Sequence, residues 1–136
     1  MLSEPGDRPR ILIVDDAPQN LRLLSGVLRG SYQVSVAVDG PEALELVAAR
    51  PPDLILLDVS MPGMDGFEVC RRLKAVPATR KIPVIFVTGL TEEGGRSRGI
   101  EAGGADFIVK PIDPEILQAK ISASLGNRES RREKGE

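Results

Sequence analysis

The chain has 136 residues, of which 41% are hydrophobic and 28% charged, with a net charge of −2 and a pI of about 5.3. These values are typical of one globular domain, and the slight acidity gives no support for nucleic-acid binding. The single cysteine, Cys70, excludes an internal disulfide, and the absence of histidine removes most zinc sites, Ser-His triads and any histidine phosphoacceptor.

The beginning of the chain favours a cytoplasmic protein. Residues 3–7 (SEPGD) are polar and show no signal-peptide pattern. No apolar run approaches the roughly 20 residues that a membrane-spanning helix needs. We therefore expect a cytoplasmic chain without membrane contacts, in which residues 1–8 form a flexible leader.

Short apolar runs and helical patterns alternate along the chain. Such runs are typical of strands buried in a parallel sheet, and apolar residues three and four apart indicate helices. The predicted strands are 10–14, 34–38, 53–57, 82–87 and 107–109. The first predicted helix is 18–30, and the second lies between the turn at 39–41 and residue 51, with its inward residues Ala43, Leu44, Val47 and Ala48. The third has the inward residues Phe67, Val69, Cys70 and Leu73. The fourth, at 92–102, contains glycines, and the fifth is 114–125.

The order strand–helix, repeated five times, predicts an α/β fold with a doubly wound, five-stranded parallel sheet and helices on both faces. The folded domain is expected over residues 9–126, followed by a charged tail or linker over 127–136. In such sheets the ligand site lies outside the carboxyl ends of the strands.

Polar side chains follow four of the five predicted strands. Asp15 and Asp16 follow the first strand, Asp58 the third, Thr88 the fourth and Lys110 the fifth. Three neighbouring carboxylates do not all stay charged without a cation, and carboxylate oxygens are ligands that Mg²⁺ prefers. With Lys110 as a second positive charge, the site suits a phosphoryl group. Asp58 is the best nucleophile candidate, because carboxylates form aspartyl phosphates.

The order and spacing of these residues resemble the receiver domain of response regulators in two-component signalling. The matching motifs are Val14-Asp15-Asp16, Asp58 with residues 61–66 (MPGMDG), Thr88-Gly89 and Lys110-Pro111. The resemblance covers about residues 9–126 and implies a flavodoxin-like fold. It also implies a phosphorelay protein that is not an enzyme, except that it catalyses its own phosphoryl transfer and dephosphorylation.

The resemblance assigns roles to the acidic residues. Asp58 is expected to accept a phosphoryl group from a phosphohistidine on a sensor histidine kinase or phosphotransfer protein. The implied cofactor is Mg²⁺, bound by Asp15, Asp16, Asp58 and the backbone carbonyl of Ser60. Phosphorylation is then expected to switch a surface that contacts an output domain or a partner protein.

The same resemblance assigns roles at the last two strands. Thr88 and Lys110 are expected to contact the phosphate as catalytic residues, and Thr88 and Phe107 to form the switch. The bond between Lys110 and Pro111 is expected to be cis. Gly89 stands where the family often has alanine, and glycines at 94, 95 and 99 weaken the fourth helix.

Each of these residues also has a structural interpretation. Asp15 and Asp16 could cap the first helix, Lys110 could be a solvated charge, Thr88 could be an ordinary residue after a strand, and Phe107 could be core packing. The alternative function is a phospho-independent interaction module of the same fold. Loss of an acidic or lysine position would favour it, and none is lost.

Two hydrolase classes fit poorly. A haloacid-dehalogenase-type phosphatase needs an Asp-x-Asp pair after its first strand, whereas Ala17 stands two residues after Asp15. A nucleotide hydrolase needs a phosphate-binding loop of the form Gly-x-x-x-x-Gly-Lys, and the sequence contains none.

Residues 16–21 and 69–74 resemble receivers attached to cyclic-di-GMP enzymes or hybrid kinases. The sequence fits either a single-domain regulator or a receiver from a longer protein whose helix continues beyond Leu125.

Overall fold

The structure, a computed structural model, describes residues 8–89 and 93–135, with the side chains of residues 93–96 and 127–135 left undescribed. Strands and helices alternate in this part of the chain. In order they are β1 (Arg10–Val14), α1 (Pro18–Leu28), β2 (Gln33–Ala37), α2 (Gly40–Ala49), β3 (Leu54–Leu57), α3 (Gly66–Ala75), β4 (Val84–Thr88), α4 (Glu93–Glu101), β5 (Asp106–Val109) and α5 (Pro114–Gly135). The five strands form one parallel sheet in the order β2-β1-β3-β4-β5, which confirms the predicted fold class.

The sheet has a hydrophobic cluster on each face, because successive residues of a strand point to opposite sides. In β1, Ile11 and Ile13 belong to the cluster that is completed by α1 and α5. Leu12 and Val14 belong to the cluster on the other face, together with Phe67, the other inward residues of α3 and part of α2. Strands buried on both faces explain the continuous apolar runs in the sequence.

β1 has the predicted limits, and the other four strands differ from the predicted ones by one or two residues at an end, for local reasons. β2 ends before Val38, whose N–H donates to Glu42 Oε1. β4 begins after Pro83, because the N–H of Ile82 donates to the carbonyl of Thr79 in the preceding turn. Ala48 was predicted to face inward but is exposed, which corrects that assignment; α2 buries Ala43 and Val47 instead.

The last helix is longer than predicted. It begins at Pro114, where Asp113 Oδ1 accepts the N–H of Glu115 at 2.9 Å, and it runs to Gly135 rather than ending at Leu125. Residues 1–7 of the predicted leader, Glu92 at the predicted start of the fourth helix, and Glu136 lie outside the described residues, so the domain limits stay a prediction. None of the described helices combines the length and apolar character required to cross a membrane.

Candidate functional site

The carboxyl ends of β1 and β3 bring three aspartates together. Val14 pairs with Leu57, and the N–H of Asp58 donates to the Val14 carbonyl at 2.9 Å, so the residues that follow both strands are neighbours. Carboxylate oxygens of Asp15, Asp16 and Asp58 lie within 4.8 Å of one another. Asp15 and Asp58 are buried and Asp16 is exposed, so the cluster opens to solvent on one side.

Lys110 reaches the same cluster from the end of β5. Its Nζ lies 3.4 Å from Asp15 Oδ2 and 3.7 Å from Asp58 Oδ1. The peptide bond between Lys110 and Pro111 is cis, as expected from the resemblance. The sequence-based prediction that this lysine meets the acidic residues is therefore confirmed by the geometry.

Asp15 is held by two further donors. Its Oδ1 accepts the N–H of Ala17 at 2.9 Å, and its Oδ2 accepts Asn20 Nδ2 at 3.1 Å. The structural interpretation of Asp15 is thus correct in part, because it fixes the entry to α1, whose N-cap residue Ala17 has no capping side chain. Asn20 was not among the predicted site residues; its place in the first turn of α1 was the only available signal.

The environment of Asp58 favours its neutral form. Burial, followed by the charge of Asp15, raises the pKa of Asp58 to about 6, against an ordinary value of 3.8. Lys110 and the backbone N–H of Ser60 act in the opposite direction, and Asp16 adds to the increase. Three carboxylates face the one ammonium group of Lys110 in this cluster, and such an excess of negative charge is expected at a cation site.

The backbone around Asp58 is tightly packed against the start of α3. A Cβ at Gly66 would lie 2.3 Å from the carbonyl oxygen of Asp58, so only glycine fits there. The preceding residue, Asp65, caps α3 by accepting the N–H of Glu68 at 2.9 Å. The predicted contribution of Ser60 was its carbonyl, whereas the contact to Asp58 described above involves its N–H.

Thr88 and Phe107 lie on the adjoining strands β4 and β5. Thr88 is buried, and its carbonyl accepts the N–H of Lys110 at 2.8 Å, which joins the ends of the two strands. Phe107 is half-buried and packs on the core, with its ring centroid 6.3 Å from that of Phe86. The core-packing interpretation of Phe107 is thus compatible with the structure, as is a switch role.

Space for movement exists beside Phe107. A cavity of about 150 Å³ is lined by Phe86, Gly99, Ile100, Gly104 and neighbouring residues of β5. A Cβ at Gly99 would lie 3.1 Å from the ring of Phe86, so the glycine that weakens α4 also lets the helix approach the aromatic side chains. The sequence indicated only the first of these effects.

A contact between α4 and α3 was also not predicted. The guanidinium of Arg98 lies 4.5 Å from the ring centroid of Phe67, and its NH2 group lies 3.9 Å from Asp65 Oδ2. Arg98 therefore links α4 to the turn between β3 and α3 that follows Asp58. Nothing in the spacing of the sequence indicated this contact.

The sequence of the chain is similar to those of known proteins. The model of the response regulator receiver domain family matches residues 11–122. The response regulator PleD of Caulobacter vibrioides is 54% identical over 113 residues, which are 82% of this chain and 25% of PleD. The chain thus spans about a quarter of the length of this relative.

Solved receiver structures have the same fold. Chemotaxis protein CheY4 of Vibrio cholerae has a TM-score of 0.82 at 30% identity, covering 86% of this chain and 98% of that one. The receiver domain of sensor histidine kinase PA1611 from Pseudomonas aeruginosa, solved with a magnesium ion in its active-site cleft, has a TM-score of 0.81 at 30% identity and covers 88% and 98%. With this family match and the site described above, the chain belongs to the response regulator receiver domain family of two-component signalling.

Proposed function

We propose that Asp58 is the phosphoacceptor of this receiver domain and that its phosphorylation switches a protein-binding surface. The observation that carries the proposal is the environment of this one carboxylate. It lies at the carboxyl end of a central strand, beside two other aspartates, with the Lys110 ammonium 3.7 Å away. Asp15 shares the cluster and the lysine, but both of its carboxylate oxygens already accept hydrogen bonds from the first turn of α1.

The site residues fit a magnesium ion. Receiver domains bind Mg²⁺ at an acidic pocket, and here Asp15, Asp16 and Asp58 offer carboxylate oxygens within 4.8 Å of one another. The backbone carbonyl of Ser60 is proposed as a further ligand. When bound, the ion supplies positive charge that offsets the charge on the phosphoryl oxygens.

The residues of this chain have separate tasks in phosphoryl transfer. A carboxylate oxygen of Asp58 attacks the phosphorus of a phosphohistidine on a partner kinase or phosphotransfer protein. The phosphorus–nitrogen bond breaks, the imidazole leaves, and an acyl phosphate forms on Asp58. Lys110 offers a charged hydrogen bond to a phosphoryl oxygen, and the hydroxyl of Thr88 offers a second one.

The switch is proposed to pass from Thr88 to Phe107. A phosphoryl group adds a charge of about −1.5 to −2 and three strong acceptors, which draw the Thr88 hydroxyl toward it. This inward movement vacates space that Phe107 can enter from its half-buried position. The cavity beside Phe107 supports the idea, because a ring with free volume next to it can change position without unfolding its neighbours.

A phospho-independent module of the same fold is not favoured. Such a module has no need to keep three carboxylates and a lysine in one place, since the repulsion between the carboxylates costs stability. All of these side chains are retained here. The output of the switch is proposed to be a contact with an output domain or a partner protein.

The phosphoacceptor can be tested with a small phosphodonor such as acetyl phosphate in the presence of Mg²⁺. We expect one phosphoryl group per chain, bound as an acyl phosphate that hydroxylamine releases, and complete loss in Asp58→Ala. Glu101→Gln, which removes an exposed carboxylate from α4, is the matched control and should be phosphorylated like the parent chain. Undiminished phosphorylation of Asp58→Ala would refute the proposal.

A further inference from the structure

The outer edge of the sheet at β2 has features that the proposed function does not use. β2 is the last strand of the sheet order and pairs only with β1. The N–H of Gln33 donates to Pro9, and the carbonyl of Ala37 accepts from Asp15. Since alternate residues of a strand direct their N–H and C=O groups to opposite sides, the backbone groups of Val34 and Val36 point away from the sheet.

Within residues 8–89 and 93–135, this edge has no covering segment. The N–H of Val38, which has the same outward direction, donates to Glu42 Oε1 at 2.8 Å. Across the described part of the chain, no side chain or loop bonds to the outward groups of Val34 and Val36. The side chains of Val36 and Val38 are 41% and 46% exposed. Proteins usually protect such an apolar edge strand with charges or proline, because it readily pairs with another chain.

The charges beside β2 are divided between its two ends. Asp39 and Glu42 lie at the carboxyl end, where α2 begins. Arg10 and Arg50 lie at the amino end, where α2 has ended, and both line a cavity of about 280 Å³ between α2 and the sheet. A copy of the same edge rotated by a half-turn would place acidic groups beside basic groups at both ends.

We propose that this edge, defined by Val34–Val38 and the flanking ends of α2, binds a second copy of the chain. The two β2 strands pair antiparallel across a two-fold axis at Ser35, so that the two sheets become one. Val34 exchanges both hydrogen bonds with the partner's Val36, and Val36 does so with the partner's Val34. This register uses the outward N–H and C=O groups of Val34 and Val36 and leaves the bond between Glu42 and Val38 intact.

The properties of Ser35 and the charges favour this occupant. Opposed residues in a pair without mutual hydrogen bonds approach to about 4.5 Å between Cα atoms, and Ser35 is small and exposed. An acidic peptide would complement only the arginine end of the edge, whereas a second copy complements both ends. The surface lies at the opposite edge of the sheet from β5, so the inference is independent of the proposed switch.

Sedimentation equilibrium tests the pairing, using loading concentrations from about 10 µM to about 1 mM, which covers weak association. We expect a monomer–dimer equilibrium whose dissociation constant rises at least about tenfold in Val36→Lys, because the ammonium cannot be buried at the paired edge. Ile100→Lys, at an exposed apolar position on α4, is the matched control and should leave the constant unchanged. A monomer at every concentration overturns the proposal, as does loss of dimer in Ile100→Lys alone.

The charge pairing is tested separately. Glu42→Gln keeps the acceptor for Val38 but removes the charge, and Arg50→Gln removes a charge at the other end. Each change should weaken the dimer about threefold and reduce its dependence on salt. Unchanged affinity and salt dependence in both variants contradict the two-fold arrangement.

Hydrogen exchange reports on the backbone groups themselves. The amides of Val34 and Val36 should gain protection as the concentration of the chain rises, while exposed amides elsewhere do not. Protection that is independent of concentration, and that disappears in a chain beginning at Arg8, would mean that the first seven residues cover the edge. That result would overturn pairing with a second copy.

Discussion

Asp58 meets two conflicting requirements at the level of a single side chain. As the proposed phosphoacceptor it must be ionised to attack phosphorus, yet burial and the neighbouring Asp15 raise its pKa to about 6. Near neutral pH it is largely ionised but held in an unfavourable environment. That strain is the reason for expecting a strong response to any cation or phosphoryl group that enters the site.

Replacing Asp58 should stabilise the metal-free protein at neutral pH. A carboxyl whose pKa is higher in the folded chain than in the unfolded one lowers stability above the folded pKa, and this penalty disappears as the pH falls through about 6 toward 3.8. We expect Asp58→Asn to raise the free energy of unfolding by about 1–3 kcal/mol at pH 7.5, with the gain shrinking as the pH falls below 6.

Urea denaturation in a chelating buffer at pH 7.5 and pH 5 measures this difference. Glu101→Gln, on the exposed surface of α4, serves as the control and should show no comparable gain. An Asp58→Asn protein that is less stable than the parent at pH 7.5 would contradict the electrostatic account of the site.

Asp16 is expected to bind the metal without stabilising the fold. It is the exposed member of the acidic cluster, so its loss removes a ligand while it relieves repulsion with Asp58. Asp16→Asn should weaken Mg²⁺ binding by at least about tenfold, with no loss of stability in the absence of metal. Calorimetric titration with Mg²⁺ tests this, and an unchanged affinity would remove Asp16 from the ligand set.

At the scale of elements, strand ends and helix starts together set the geometry of the site. The beginning of α3 is pressed against the backbone of Asp58 at Gly66, whereas Gly26 in α1 has no atoms near its missing Cβ. Substitution by alanine should therefore have opposite effects on stability at these two glycines.

Gly66→Ala should destabilise the chain by about 2 kcal/mol or more, because its Cβ would overlap the Asp58 carbonyl and force the backbone apart. Gly26→Ala should stabilise it by about 0.5–1 kcal/mol through helix propensity alone. Thermal unfolding measures both. Gly66→Ala should in addition slow phosphorylation of the folded protein, and equal stability of the two variants would argue against the close packing of α3.

The coupling between β4 and β5 can be examined through Thr88. Thr88→Ala should still accept phosphate but lose the hydrogen bond that draws this strand end inward. Amide chemical shifts over residues 93–112, recorded with and without a beryllofluoride phosphoryl mimic, should then change less at Phe107 than in the parent chain. Equal shifts at Phe107 in both proteins would leave that ring with a packing role only.

The topology and the aspartate–lysine cluster could be predicted from the sequence because they depend on order alone. Apolar runs identify buried strands, and parallel strands end at one edge, so Asp15, Asp58 and Lys110 were expected on the same edge of the sheet. The observed strand limits differ from the predicted ones where a single hydrogen bond competes with the hydrogen bonds between strands, as at Val38. The stacking of Arg98 on Phe67 depends on the three-dimensional approach of two helices, which no spacing rule encodes.

At the scale of the whole molecule, the boundary between α4 and β5 combines close contacts at glycines with a cavity, and the boundary between α3 and the backbone of Asp58 is close-packed. The cavity beside Phe107 and the small residues Gly99 and Gly104 lie at the first boundary. Gly66, which has no room for a Cβ beside the backbone of Asp58, lies at the second boundary. The backbone at the proposed phosphoryl site is thus close-packed, and the cavity lies beside the ring that the proposed switch has to move.

The ion pair between Lys110 and Asp15 joins residues that are 95 positions apart in the chain. The lysine can therefore meet the aspartates only once β5 has taken its place in the sheet, and closing the loop between them costs conformational entropy. A chain still emerging from the ribosome, or one cut before β5, has the acidic residues but not their cation. The charge balance at the proposed phosphoacceptor is therefore a property of the sheet with all five strands in place.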